Sequence, residues 1–324
     1  MPYNGKIKMK FSLLQSLITK FPSLLKSHCE ALSFRASLRG VQRTTKQSPS
    51  SPKLAVILHL YYEDQLPEIA RHLQNLNTAG LDYDLYVTSP HTTPLIITNA
   101  MYTPTENRGY DIGPFIDALH HINLNNYDYI LKLHTKGKTS PNYTLLNNRR
   151  LNNALWGKIL WNALLGSAKQ IRRNIAVMEQ NPQIGMLTAR YCLTGEPKFY
   201  QKHLPQINRE LQKLGFSPMQ NFAFPAGSIF LARTEVLKPF LTYTINDFTL
   251  TNGKIKEGTL AHIVERLFGA VTITQGYNLA PAPHKTYAIA RLLVGLKRFI
   301  YQKKYTSSGK TLIKICKIPV YKKS

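Results

Sequence analysis

Four short segments of this 324-residue chain combine charged, hydroxyl and glycine residues in patterns that suit an anionic ligand. The first runs from Glu106 to Phe115. Its Gly109 and Gly113 permit a tight loop and a close backbone approach. Arg108 presents a planar fork of N–H donors that fits a phosphate or carboxylate, and Asn107 stands beside it. Asp111 is placed to cap the helix that follows. The second runs from Lys132 to Lys138. Its His134 and Lys136 alternate with the apolar Leu133 and so share a face. Lysines beside a glycine suit a diphosphate as point charges. Lys132 ranks below Lys136, because its side chain can point into the opposite layer. In the third, Phe224 to Arg233, the Pro-Ala-Gly-Ser turn carrying Gly227 and Ser228 would let backbone come close to a ligand. Taken alone, it reads better as a buried strand with a tight start. The fourth runs from Glu257 to Phe268. Glu257 precedes a helix and either meets a pocket or caps that helix. Thr259, His262 and Arg266 can share one helical face, and His262 serves equally well as a structural histidine.

Other chemistries leave no trace. The sole Asp-x-Asp, Asp82-Tyr83-Asp84, falls at the start of a strand, the wrong end of a sheet for a ligand. No HExxH, GxSxG, P-loop or GxGxxG pattern occurs. Cys29, Cys192 and Cys316 are far apart and form no CxxC, which argues against a zinc module or a disulfide framework. No metal site is visible. A divalent cation, Mg or Mn, stays open, because its ligands could meet only in three dimensions.

The elements that must carry these segments alternate. Leu54 to Tyr62 is an apolar run that reads as a buried parallel strand. Residues 65–79 show helical spacing, with Pro67 in the first turn and Gly80 at the end. Tyr83 to Thr88 reads as a second strand and Leu95 to Met101 as a third. A helix follows at 112–121 and a fourth strand at 127–133. One or two helices occupy 145–181. Strands are expected at 184–189 and 224–232, a helix at 258–269, and a short last strand at 271–274. Such alternation predicts an α/β domain with a mainly parallel sheet flanked by helices. Ligands of such sheets bind beyond the carboxyl ends of the strands, where the first two segments lie.

Charge divides the chain in three. The formal net charge is +25. Residues 1–53 carry +9 and residues 285–324 carry +11, while 54–284 carry only +5. In the first arm Phe11, Leu14, Leu17, Ile18 and Phe21 mark one helical face. In the last, Ile289, Leu292, Leu293, Leu296, Phe299 and Ile300 do the same, flanked by Arg291, Lys297, Arg298, Lys303 and Lys304. Basic amphipathic helices of this kind lie on anionic membrane surfaces; the alternative is that they cap the central domain. The near-neutral centre argues against nucleic acid as partner. No stretch has the roughly 20 apolar residues that span a bilayer, and no secretory signal is expected. The boundaries are therefore 1–53, a basic N-terminal arm and linker; 54–284, the α/β domain; and 285–324, a basic C-terminal arm.

The four segments, in this order, resemble the rhamnan synthesis protein F family of bacterial polysaccharide glycosyltransferases. Asn107 to Phe115, Leu131 to Lys136, Ala226 to Phe230 and Glu257 to Arg266 match its recurring motifs. Trp156, Leu164 to Ser167 and the strand ending His59-Leu60-Tyr61-Tyr62 match as well. Tyr110 replaces an arginine of the pattern and Glu257 an aspartate. The resemblance implies a GT-A-like, Rossmann-like domain. It also implies transfer of a sugar, often rhamnose, from a nucleoside-diphosphate donor, with dTDP-rhamnose first in line. The acceptor would be a lipid-linked glycan of lipopolysaccharide or capsule, at the inner face of the cytoplasmic membrane, with the protein cytoplasmic and peripheral. An inverting transfer needs a base for the acceptor hydroxyl and positive charge for the departing diphosphate. Glu257 is the first candidate base and Asp111 the second; His134 completes the catalytic set. Asn107, Arg108, Gly109, Lys132, Lys136, Gly227, Ser228, Thr259, His262 and Arg266 would bind substrate. The alternative function is a non-catalytic nucleotide-sugar- or glycan-binding scaffold of a polysaccharide assembly complex.

Overall fold

The computed structural model describes residues 52–91, 97, 99–137, 143–146, 149–251 and 258–283, with strand segments at 301–305, 311–315 and 318–323. The chain divides into two units, Ser50–His284 and Met1–Pro49 with Lys285–Ser324. Glu257, Lys138 and the proposed helices of residues 11–21 and 289–300 lie outside the described residues.

The larger unit is built on a seven-stranded sheet. Its strands are β1 (Leu54–His59), β2 (Tyr83–Ser89), β3 (Ala100–Pro104), β4 (Tyr129–His134), β7 (Ile184–Thr188), β10 (Phe230–Arg233) and β11 (Asn278–Pro281), in the spatial order β11-β7-β10-β4-β1-β2-β3. All neighbours are parallel except β10, which runs antiparallel to both β4 and β7. This is an α/β fold with a mostly parallel sheet. Every residue of β1 and β4 is buried, as expected of central strands with helices over both faces. Two small antiparallel pairs stand apart from this sheet: the hairpin of β5 (Tyr143–Leu146) with β6 (Arg149–Asn152), and β8 (Leu193–Thr194) with β9 (Phe224–Pro225).

The helices form two layers. On one face α1 (Leu66–Ala79), α3 (Asn153–Leu165) and α4 (Ala168–Gln180) pack together over β7 and β10. On the other, α2 (Ile112–His120) lies against β1 and β2 and meets α7 (Leu260–Thr274), which also packs on α5 (Leu204–Lys213). A single helical turn, α6 (Thr234–Leu237), follows β10. Pro67 enters α1 within its first turn, and Gly80 ends it in the left-handed conformation. Phe115, Phe230, Phe240 and Phe268 form the aromatic centre of the α2–α7 layer.

Several boundaries differ from those expected. The third strand is Ala100–Pro104 rather than Leu95 to Met101. Asn99 takes a left-handed conformation, φ 62°, which a strand interior cannot hold and asparagine tolerates. The expected strand 224–232 splits into β9 and β10, because Gly227 (φ 88°) and Ser228 (φ 47°) turn the chain between them. Val271 to Thr274 is not a strand but the last turn of α7. Its β-branched residues favour a strand by propensity alone. Tertiary packing decides for the helix: Val271 and Thr272 are fully buried, and the Thr272 and Thr274 hydroxyls find acceptors in the Phe268 and Ala270 carbonyls. The last strand, β11, comes after Gly276.

In the smaller unit β12 (Tyr301–Tyr305), β13 (Thr311–Ile315) and β14 (Ile318–Lys323) form an antiparallel meander. The expected C-terminal arm is thus not helical over these residues. Lys303 and Lys304 lie on β12, and the β-branched and aromatic Ile313, Ile315, Ile318, Val320 and Tyr321 suit strands by propensity.

Candidate functional site

The carboxyl ends of β1 and β4 and the turns after β3 and before β10 meet at one carboxylate, Asp111. The residues before it are Gly109 (φ 65°) and Tyr110 (φ 58°), both left-handed. A Cβ on Gly109 would stand 2.7 Å from the Phe248 ring. Tyr110 carries the strain of that conformation beside the site. Asp111 occupies the N-cap position of α2 but makes no capping hydrogen bond. Its side chain turns instead toward β4. The capping role expected for it is therefore not the one its side chain plays.

Lys132 donates from Nζ to Asp111 Oδ2 at 2.6 Å, and the Ser228 hydroxyl donates to the same oxygen at 2.5 Å. His134 Nδ1 lies 3.2 Å from that oxygen, in a direction that makes no hydrogen bond, and neither of its ring nitrogens has a partner. Lys132 and His134 alternate with Leu133 on β4, so both point to the α2 face. His59 on β1 is in register with His134 and accepts or donates at the Thr88 hydroxyl, 3.1 Å away. The Lys132 side chain is 1% exposed and that of His134 3%, against 21% for Asp111.

Electrostatics follow from this burial. Alone, burial would push the Asp111 carboxyl up. The surrounding His134, Lys132 and Lys136, with the Lys132 hydrogen bond, outweigh it and hold the group well below the usual carboxylate range. Burial drives His134 well below 6.5 against the pull of Asp111, and drives His59 down to about 4. Burial likewise lowers the Lys132 ammonium, and Asp111 opposes this. At neutral pH the imidazoles are uncharged. Asp111 is ionised against Lys132, and Lys136 is the further cation close by.

Lys136 sits just beyond the strand. Its ammonium lies 4.5 Å from the centroid of the Trp156 ring, a cation–π contact. Its backbone is clasped by Gln65, whose Nε2 donates to the Lys136 carbonyl at 2.6 Å. Trp156 in turn lies against the Gly227 turn: a Cβ there would meet its Nε1 at 2.8 Å. The Gly227 N–H donates to Glu265 Oε1 at 2.6 Å, so α7 fixes the turn that presents Ser228. Tyr61 and Tyr62, partly exposed at 38% and 40%, continue β1 at the same edge. Both their N–H groups donate to the Thr135 hydroxyl.

The other expected residues face elsewhere. Arg108 donates to Glu106 at 2.5 Å and to the Phe248 carbonyl at 3.2 Å. Asn107 donates to the Thr251 carbonyl and accepts from the Thr251 N–H through its own carbonyl. Both tie the loop after β3 to residues 248–251. Thr259 and His262 share a hydrogen bond of 2.8 Å, and the His262 ring meets that of Tyr110 edge-on. Arg266 is 7% exposed and donates to the Phe199 and His262 carbonyls and to Glu265. The motif reading named neither His59 nor Glu265 as a site residue. The register of parallel strands is not written in either strand's sequence, so the approach of His59 to His134 left no local signal. Glu265 did have one: it stands on α7 next to Arg266, in the fourth segment.

Among the described residues no group of three or more His, Cys, Asp and Glu is placed to hold a metal ion. One carboxylate already bound by an ammonium is a poor start for a divalent-cation site. Cys192 is no nucleophile, since burial pushes its thiol up to about 12.

With these positions in view, comparison with known proteins is decisive on one point. A family model described as rhamnan synthesis protein F matches residues 17–277. The chain belongs to the rhamnan synthesis protein F family. The family takes its description from rhamnan synthesis. Residues 107–115, 131–136 and 226–230, which meet at Asp111, all lie within the part that the rhamnan synthesis protein F model covers. The chain is also similar to the uncharacterized protein WxcX of two strains of Xanthomonas campestris pv. campestris, at 29% identity over 240 residues. The match takes in 71% of this chain and 32% of each relative, so the chain spans about a third of the length of these curated relatives.

Proposed function

We propose that the chain is a glycosyltransferase that moves rhamnose from a nucleoside-diphosphate donor, dTDP-rhamnose first, to a lipid-linked glycan of lipopolysaccharide or capsule. The single observation that carries this reading is the convergence of three of the four sequence segments on Asp111, at the carboxyl edge of a mostly parallel sheet. Ligands of α/β sheets bind at that edge, and the fold reads as GT-A-like.

The roles follow from charge. A departing diphosphate needs fixed positive charge where its negative charge grows. Lys136, outside the buried pair, is the cation best placed to meet it. Asp111 serves as an acceptor for a ligand hydroxyl. The base that removes the acceptor proton would be Glu257, beyond the described residues; a carboxylate held as ionised as Asp111 is too weak a base for that task. The basic segments 1–53 and 285–324 would meet an anionic membrane at its cytoplasmic face.

Incubation with labelled dTDP-rhamnose, a panel of other nucleoside-diphosphate sugars and a lipid-linked acceptor tests the reading. Transfer of label is the expected result. Donor binding without turnover across acceptors would favour the scaffold instead, and absence of both would end the reading. Glu257→Gln should abolish transfer while sparing donor binding; full turnover in this variant would remove Glu257 as base.

A further inference from the structure

Among the described residues, every contact that Asp111 makes through its carboxylate falls on one oxygen. Oδ2 receives Lys132 at 2.6 Å and Ser228 at 2.5 Å and faces His134 at 3.2 Å. Oδ1 receives none from the described residues, and the side chain retains 21% exposure. Lys132 is the opposite case. It is 1% exposed, its ammonium lies 5.2 Å from the Phe115 centroid, and its strand is buried along its length. No ligand outside the domain can reach it without moving α2.

We propose that Lys132 is a positioning residue: with Ser228 it locks Asp111 by Oδ2 so that Oδ1 is offered to a hydroxyl of the bound sugar nucleotide. Lys132 does not touch the substrate, and Asp111 binds by accepting a hydrogen bond and takes no proton. This deepens the glycosyltransferase reading and rests on it. The physical reason for such a lock is orientation. A carboxylate on a short side chain rotates unless something engages one oxygen, and a rotating acceptor selects no hydroxyl. A charged partner in a site this dry is strong enough to stop the rotation. The left-handed Ser228 backbone, φ 47°, is a cost consistent with that geometry.

The test is a double-mutant cycle in the full chain, with Asp111→Asn, Lys132→Met and the combined variant. Two readouts are taken. Thermal midpoints without ligand read the pair itself. Lys132→Met strands a buried carboxylate, so it should lower the midpoint more than the combined variant does. If the combined variant is the less stable, the pair is not what holds Lys132 there, and the proposal fails. Affinity for dTDP-rhamnose reads the role. Asp111→Asn should weaken it about 10- to 100-fold, and adding Lys132→Met should weaken it no further. A further loss in the combined variant would mean that Lys132 contacts the ligand itself, which overturns the proposal.

A pH series separates positioning from mere support. The charged or titratable groups facing Asp111 are Lys132, His134 and Lys136 of β4 and its end and His59 of β1, with Glu265 of α7 behind Lys132. Without the Lys132 charge and hydrogen bond, burial raises the carboxyl against the pull of His134 and Lys136 that remains. Donor affinity of Lys132→Met should then be lost at a higher pH on acidification than that of the wild type. A profile in Lys132→Met that coincides with the wild-type profile would sink the idea. If instead the wild-type chain binds neither dTDP-rhamnose nor any other donor, the glycosyltransferase reading fails and this role of Asp111 falls with it.

Discussion

At the scale of single residues, the conformation of Gly109 and the protonation of His59 lead to measurable consequences. Gly109 is left-handed and leaves 2.7 Å between a would-be Cβ and the Phe248 ring. Gly109→Ala should therefore cost on the order of 2 kcal/mol in urea unfolding, from backbone strain and crowding together. His59 is buried and neutral, with its value lowered from 6.5 to about 4, chiefly by burial. The folded chain thus binds this proton less readily than the unfolded one. The stability it confers is whole above pH 6.5 and drains away as pH falls toward 4, about 3 kcal/mol over that window. His59→Gln should flatten this part of a plot of unfolding free energy against pH. An unchanged slope would show that His59 does not titrate as its burial requires.

At the scale of elements, α7 shows how packing overrules propensity. Gly269 lies where α7 touches the backbone of residues 223–224, and an added Cβ would fall 1.9 Å from the Ala223 carbonyl oxygen. Alanine is the better helix former by about 1 kcal/mol, yet Gly269→Ala should destabilise by about 3 kcal/mol, because a backbone atom cannot move aside. Chemical denaturation decides the sign. Glu265 on the same helix anchors the Gly227 N–H. Glu265→Ala should loosen the turn before β10, shift Ser228 from Asp111 and weaken donor binding about tenfold, as read by calorimetric titration. The same elements show what a sequence can disclose. The apolar runs of β1 and β4 and the spacing of α1 and α2 were legible because burial on both faces, or on one stripe, writes a period into the residues. The split of 224–232 was hidden, because a Gly-Ser pair does not announce that its serine will also turn left-handed. The approach of Lys132 to Asp111 was hidden too, since it depends on which of two faces α2 covers. Arg108 looked like an anion ligand by type. Its partners, Glu106 and Phe248, include one 140 residues away that no local pattern could supply.

At the scale of the whole molecule, charge and strand direction set the remaining expectations. Residues 54–284 carry only +5 of the +25, so binding to anionic vesicles should depend on residues 1–53 and 285–324 and fall steeply with salt. Flotation of the full chain, and of chains lacking either segment, checks this. Equal binding by all three would place the contact elsewhere. Among the described residues no helix is long and apolar enough to cross a membrane. The reversed strand β10 has another consequence, in the order of synthesis. It lies between β4 and β7, and only because it runs backward does its first turn bring Ser228 to the edge where the other strands end. A growing chain therefore completes β1 to β4 while the slot beside β4 is still vacant. Until residue 233 has emerged, a strand that is buried throughout in the finished fold stands with an open hydrogen-bonding edge. Chains halted between residues 190 and 225 should be the most aggregation-prone of a truncation series, and lengthening them past 233 should restore solubility.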